Sequence, residues 1–292
     1  MSRNGVLFAL MCVVWGLTWL PLKVAAAEVP PIFLASARFL IASAFFFVWA
    51  GRDAFRAVRP AASRLLGAAL LINTGCYAFL FWGVKHAPTG LSAIVNFALI
   101  PVFTILFGLA YGEEVLTRRR AYGMALGALG LVLLFWARVG EGREGVWTAI
   151  ALGAVVAATL SYCWGAVLSR PLVRVMSPIT LAAWQCLLGG LGLGVLSALV
   201  ESAGLADVAR LASWPVWPAL AFLVLGGSLV GFAVYLKLLR DWGPFRAALY
   251  SFVSPIIAVA VGVLALDEPL GPAEAAGALL MLTATGLVMR RV

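Results

Sequence analysis

Apolar residues gather in ten runs, which can be drawn at 6–26, 31–50, 62–83, 88–111, 121–138, 146–169, 178–200, 216–238, 245–266 and 273–289. Each is close to the about 20 residues that an α-helix needs to cross hydrocarbon. In lipid every backbone amide and carbonyl has to be paired within the segment, so such runs fold as helices. The breaks are short and carry charge or turn residues, as at Gly51-Arg52-Asp53, Gly140-Glu141-Gly142-Arg143 and Asp241-Trp242-Gly243-Pro244. In a chain of 292 residues that is 64% hydrophobic and 11% charged, ten spans leave no room for a soluble domain. The expected fold is an all-α integral membrane protein of ten transmembrane helices.

The first run has some features of a cleaved signal: Arg3, an apolar core and Ala25-Ala26-Ala27. Trp15, Thr18, Trp19, Pro21 and Lys23 interrupt its end, and it is read as a retained helix. The net charge of +9 does not call for nucleic acid, because cytoplasmic loops of membrane proteins carry excess Lys and Arg. With the N-terminus inside, fifteen of the 21 basic residues fall on inner segments and five on outer ones (Lys23, Lys85, Arg138, Arg143, Arg210). Both termini are therefore expected in the cytoplasm of a bacterial inner (plasma) membrane protein. Arg38 alone lies well inside a span.

The chain is also duplicated. A shift of 154 positions lays Ala93, Pro101, Gly108, Glu114, Leu116, Ala121, Gly123, Leu126 and Leu133 on Ala247, Pro255, Gly262, Glu268, Leu270, Ala275, Gly277, Leu280 and Leu287. Upstream, Pro31-Ile32-Phe33-Leu34-Ala35 matches Pro178-Ile179-Thr180-Leu181-Ala182, and Trp15-Gly16 matches Trp164-Gly165. The expected organisation is a five-helix repeat over 1–138, a linker at 139–145 and a second repeat over 146–292. Five is odd, so the second copy starts on the opposite membrane face, which gives inverted repeats of the kind that secondary transporters use for alternating access.

These residues carry a resemblance. Trp15-Gly16, the mid-helix Pro101 and Pro255, and Gly112-Glu113-Glu114-x-Leu116 with its second copy Asp267-Glu268-x-Leu270 resemble the drug/metabolite transporter superfamily, EamA branch, over essentially the whole chain. The resemblance implies a ten-helix metabolite exporter, most like bacterial aromatic amino acid exporters.

All twelve acidic residues sit at span ends or in loops. A carboxylate at mid-membrane usually marks a proton or ion relay, so downhill efflux or exchange fits better than proton antiport, with His86 left as an interfacial, gating or coupling group. No phosphate-binding loop or H-E-x-x-H motif occurs, and Cys12, Cys76, Cys163 and Cys186 lie in apolar runs without metal-ligand spacing. The expectation is no enzyme activity, no cofactor and no metal. The Gly189-Gly190-Leu191-Gly192-Leu193-Gly194 run sits within a span and reads as close helix packing.

Polar and aromatic residues at helical spacing mark the candidate substrate site: Trp15, Thr18 and Trp19; Asn73, Tyr77 and Phe81; Ser92, Asn96 and Phe97; Ser161, Tyr162 and Trp164; Ser228 and Tyr235; Tyr250, Ser251 and Ser254. Such groups need partners in hydrocarbon, so these faces should meet in a central cavity lined by helices one, three, four, six, eight and nine. Pro101 and Pro255 are candidate hinges, Lys85 and His86 candidate gate residues. Arg38, whose repeat counterpart is Gln185, is a candidate partner for a substrate carboxylate, with snorkelling or a buried acceptor as its other reading. The preferred partner is a small-molecule substrate bound to a monomer or homodimer that exports amino acids, aromatic ones included. The competing readings are a sugar-phosphate or nucleotide-sugar exchanger, which needs several converging cations, and a multi-span lipid-modifying enzyme or lipid-linked sugar flippase.

Overall fold

The computed structural model describes residues 3–56, 61–87, 89–135, 146–266 and 271–289, and over them the chain is helical. Ten long helices follow the ten runs. In order they are α1 (Arg3–Leu17 continued by Trp19–Glu28), α2 (Pro31–Ala50), α3 (Ala62–Ala69, Leu70–Gly75 and Cys76–His86), α4 (Thr89–Ala110) and α5 (Arg118–Phe135). The second half holds α6 (Val146–Val175), α7 (Pro178–Val200), α8 (Val216–Phe222, Leu223–Phe232 and Ala233–Trp242), α9 (Pro244–Ala248 and Tyr250–Leu266) and α10 (Pro272–Met289). Nine of them are long and apolar enough to cross a membrane, whereas α5 opens on Arg118, Arg119 and Arg120.

The helices depart from regular geometry where the sequence withholds a donor or a neighbour presses in. Pro21 has no amide for the Leu17 carbonyl, and α1 breaks one residue later at Thr18, whose hydroxyl donates to Trp15 O at 2.6 Å. The third helix of each half contains a π-helical segment, Leu70–Gly75 in α3 and Leu223–Phe232 in α8. Pro101 and Pro255 both lie inside their helices.

The halves pack as a pseudo-twofold pair. α2 lies along α7, α5 along α10, and α4 against α9. Helix α3 packs on α6 as α8 packs on α1, α4 on α6 as α9 on α1, and α2 on α8 as α7 on α3. Each contact returns when a helix is exchanged for its counterpart five positions on, as two equivalent units of odd helix number require when the axis lies in the membrane plane.

Small residues permit these approaches. The glycine run of α7 seats Asn73 and Thr74 of α3 at Gly189 and Gly192, and Leu40 and Ser36 of α2 at Gly190 and Gly194. Gly123 and Gly127 of α5 meet Val288 and Phe252, while Gly227 and Gly231 of α8 meet Arg38 and Trp15, so both glycine pairs are used in packing within the chain. Two carboxylates cap helix starts across the halves. Glu201, at the end of α7, accepts from Ile32 N and Phe33 N at 2.9 Å, and Glu114 accepts from Phe245 N at 2.9 Å. Helix N-termini carry unpaired amides and partial positive charge, which suits an anion there.

Candidate functional site

The polar faces converge on a cavity of about 220 Å³ between the halves. Its wall is built from Trp15, Thr18 and Leu22 of α1; Arg38 and Phe39 of α2; Ile72, Asn73, Cys76, Tyr77, Leu80, Phe81 and Val84 of α3; and Asn96, Phe97 and Ile100 of α4. Tyr162 of α6, Gly227 and Phe232 of α8, and Tyr250 and Ser254 of α9 complete it. Helix α2 was not among the expected contributors, although Arg38 was singled out.

Arg38 is the cation of this wall. It is buried, its Nε donates to Ser228 Oγ at 2.8 Å, and its guanidinium lies 5.3 Å from the centroid of the Phe39 ring and beside Tyr77. A methyl group at Gly227 would sit 2.8 Å from its Nη2, so the guanidinium is seated directly against this glycine. Among the described residues no carboxylate pairs with Arg38. Its position seven residues into α2 puts the charge inside the apolar span, where an unpaired Lys or Arg costs about 3 kcal/mol on insertion scales.

Neutral polar groups surround the remaining wall. Asn73 Nδ2 donates to Gln185 O at 2.8 Å, and Asn96 Oδ1 accepts from Thr159 Oγ1 at 2.8 Å. Trp15 Nε1 donates to Gly227 O at 3.0 Å and Ser254 Oγ to Cys12 O at 3.2 Å. The Tyr162 hydroxyl is buried beside those of Tyr235 and Tyr250. Gln185, the counterpart of Arg38, is fully buried and donates to Ser169 Oγ at 2.7 Å, away from the cavity lining.

The lining runs from the middle of the helices to Leu22 and Val84, near the C-terminal ends of α1 and α3. In the other direction aromatic rings close it. Trp15 makes an edge contact with Tyr250 at 4.5 Å, and Tyr235 packs on Trp15, Tyr162, Tyr250 and Phe232 at 5.6–6.2 Å. Beyond these rings a polar network ties the same end of the bundle. Glu113 pairs with Arg174 at 2.6 Å and Arg170 at 3.8 Å, and Glu114 pairs with Arg120 at 2.7 Å. Asp241 accepts from Lys237 and Asn4, and Arg170 donates to the Leu239 and Arg240 carbonyls.

Of the residues singled out from sequence, Trp15, Asn73, Tyr77, Phe81, Asn96, Phe97, Tyr162, Tyr250 and Arg38 line the cavity. Tyr235 is the ring layer beneath it. Ser251 and Ser92 are buried outside the lining, whereas Ser254, singled out together with Ser251, is part of it. Trp164 does not reach the cavity: it is 40% exposed, stacks on Phe107 at 5.8 Å and donates to the Tyr111 hydroxyl at 2.9 Å. Two residues along a helix are about 200° apart, so Tyr162 and Trp164 face opposite ways. His86 is exposed on Trp82, with Nδ1 2.8 Å from Trp82 O. The side chains of Trp19 and Lys85 lie outside the described residues. Pro101 and Pro255 adjoin the lining residues Ile100 and Ser254. Phe39, Ile72, Cys76, Leu80 and Phe232 were missed, since apolar lining has the same sequence signature as packing.

Comparison with known proteins follows this architecture. The EamA-like transporter family matches the chain twice, over residues 3–136 and 149–290, one match per half. The probable amino-acid metabolite efflux pump of Salmonella typhimurium is 30% identical, covering 97% of this chain and 93% of that one. The uncharacterized inner membrane transporter YedA of Escherichia coli is 27% identical over 88% of this chain and 81% of that one. A solved crystal structure superposes with a TM-score of 0.81 at 21% identity, covering 99% of this chain and 97% of that one, and shares the fold.

Proposed function

The chain belongs to the EamA-like transporter family, and on that premise we propose that it is a secondary transporter of the bacterial inner membrane. It exports small carboxylate-bearing metabolites, amino acids including aromatic ones, by alternating access between its two halves. The observation that carries this reading is Arg38, a buried guanidinium with no carboxylate partner among the described residues, set in an aromatic wall between the halves. A substrate carboxylate supplies the missing charge, and a charge-assisted hydrogen bond of that kind contributes about 1.5–3 kcal/mol. The rings of Trp15, Tyr77, Phe81, Tyr162 and Tyr250 offer an apolar seat for the rest of the solute.

The cavity wall extends toward the C-terminal ends of α1 and α3, and the aromatic rings and ion pairs lie at the end that holds the α1 N-terminus. With both termini in the cytoplasm, as the loop charges favour, this is an outward-directed cavity. Rearrangement of the two halves to the twofold-related packing closes it outside and opens it inside. No catalytic role is proposed for any residue.

A cavity of about 220 Å³ falls below the roughly 300 Å³ at which sites for drug-sized ligands begin. That weighs against a nucleotide-sugar substrate, as does the single described cation in the wall. The test is flux of radiolabelled Phe, Trp, Leu, Thr and a sugar phosphate in proteoliposomes, with and without a pH gradient, against protein-free vesicles. Saturable amino acid flux that ignores the pH gradient is expected. Flux of the sugar phosphate with none of any amino acid would overturn the reading.

A further inference from the structure

The wall of the cavity is electrically one-sided. Arg38 offers a full positive charge to a carboxylate, and the residues that line the cavity include no Asp or Glu among those described. The sequence extends this to the whole membrane interior, since all twelve carboxylates stand at span ends or in loops. An ammonium group in the cavity therefore meets only neutral partners. Apart from Arg38, the polar side chains there are all neutral: Asn73, Asn96, Thr18, Ser254, the three tyrosines and the Trp15 indole. Such groups bond an uncharged N–H or a carbonyl as readily as an ammonium. Aromatic faces attract a cation, but this is worth about 0.5–2 kcal/mol, and they also accept an uncharged apolar group.

We infer that this carrier reads its substrate as an anion: the carboxylate on Arg38 is required, the amino group is not, and N-acylated or deaminated aromatic carboxylates are substrates. The inference rests on the carrier reading given above and adds a charge rule to it. The rule has a consequence for energy. An N-acyl amino acid or 2-oxo acid crosses with net charge −1, while Arg38 stays within the membrane in either state of the carrier. In a cell that is negative inside, each 100 mV drives such an anion outward by about 50-fold at equilibrium. A zwitterion crosses with no net charge and gains nothing. Export of the anion is then powered by the membrane potential itself, with no need for the proton-relay carboxylate that the spans do not contain.

The test uses the full-length protein in proteoliposomes loaded with unlabelled Phe for counterflow of labelled Phe, with three competitors: N-acetylphenylalanine, phenylpyruvate and phenylalanine amide. A second arm follows net flux of labelled N-acetylphenylalanine and of Phe under potentials set with valinomycin and potassium gradients. We expect the two anions to compete within about threefold of Phe and the cationic amide to be at least tenfold weaker. N-acetylphenylalanine flux follows the potential, and Phe flux does not. In Arg38→Gln the preference for the anion over the amide collapses, and should that variant fail to fold, the wild-type series decides the matter. If Phe is carried but both anions are more than tenfold weaker, the charge rule is overturned and the carrier reading survives. If Phe and both anions all fail to move, both fall together.

Discussion

Replacing Gly231 with alanine tests the cavity wall through a residue that does not itself line it. Gly231 sits in the π-helical segment of α8 directly against the Trp15 indole. An added methyl group would lie on Nε1 and 2.7 Å from Cδ1. Two responses are open. If the helices part to admit the methyl, overpacking costs about 1–3 kcal/mol. If the indole swings away instead, it loses the bond from Nε1 to Gly227 O, about 1 kcal/mol, and the edge contact with Tyr250, about 0.5–1.5 kcal/mol. The second route costs about 2 kcal/mol and has space to go to, because Trp15 borders the cavity. The displaced ring then occupies the substrate's seat. The expected outcome for Gly231→Ala is transport reduced at least tenfold, with an apparent Tm only a few degrees lower. Gly226→Ala in the same segment is the control, since its new methyl would meet atoms no nearer than 3.4 Å. Counterflow in proteoliposomes and thermal melting in detergent measure the two quantities. Transport by Gly231→Ala within twofold of wild type would refute the assignment of Trp15 to the cavity wall.

Three further substitutions separate the site from its scaffold. Trp164→Ala should leave transport within about twofold and cost about 1 kcal/mol, the worth of its bond to Tyr111, while Tyr162→Ala two residues earlier should lower transport at least tenfold; counterflow on both variants decides it. Gly277→Ala should lower the melting temperature without changing the KM of the protein that survives, because its methyl would lie 2.6 Å from Leu134 N and close to the Gly130 carbonyl, backbone atoms that yield only if α5 and α10 move apart.

Hydropathy made the ten helices legible because lipid leaves the backbone no other way to pair its amides, and the duplication made the exchange of partners between halves legible as well. Local irregularities were not. The π-helical segments in α3 and α8 fall where Gly75 meets Ser161 and Gly231 meets Trp15. Those contacts join residues far apart in the chain, so no local pattern announces them. Within the site, four-residue spacing was informative on α3 and α9 but not on α4, where the adjacent Asn96 and Phe97 both line the cavity and Ser92, one turn earlier, does not. Asn73, Tyr77 and Phe81 recur every four residues and share the wall, as do Tyr250 and Ser254. Ser251 and Trp164 break that spacing relative to Tyr250 and Tyr162, and both fall outside. Arg38 was visible as a charge inside a span, but the Ser228 hydroxyl and the opening at Gly227 that hold it come from the other half.

The departures from symmetry are as informative as the symmetry. Gly16 and Gly165 are equivalent in the duplicated Trp-Gly pair, and α1 packs on α8 and α9 as α6 packs on α3 and α4. Yet Gly16 is pressed against α9, where a methyl would lie 2.7 Å from Ile257 Cβ and 2.9 Å from Ser254 O. Gly165 is pressed against α3 instead, 2.7 Å from Ile72 N and 3.0 Å from Ala68 O. Strict twofold symmetry would set Gly165 against α4. The first helix of each half thus takes a different one of its two neighbours as its close partner, and both helices border the cavity through Trp15 and Tyr162. A glycine at each position admits either neighbour's backbone, whereas a side chain would admit neither. Under the proposed alternation the two halves trade these arrangements, Gly16 closing on α8 and Gly165 on α4. Because each half gives up a contact of the kind the other gains, the two packings can lie within the few kcal/mol that allow a ligand to shift one into the other.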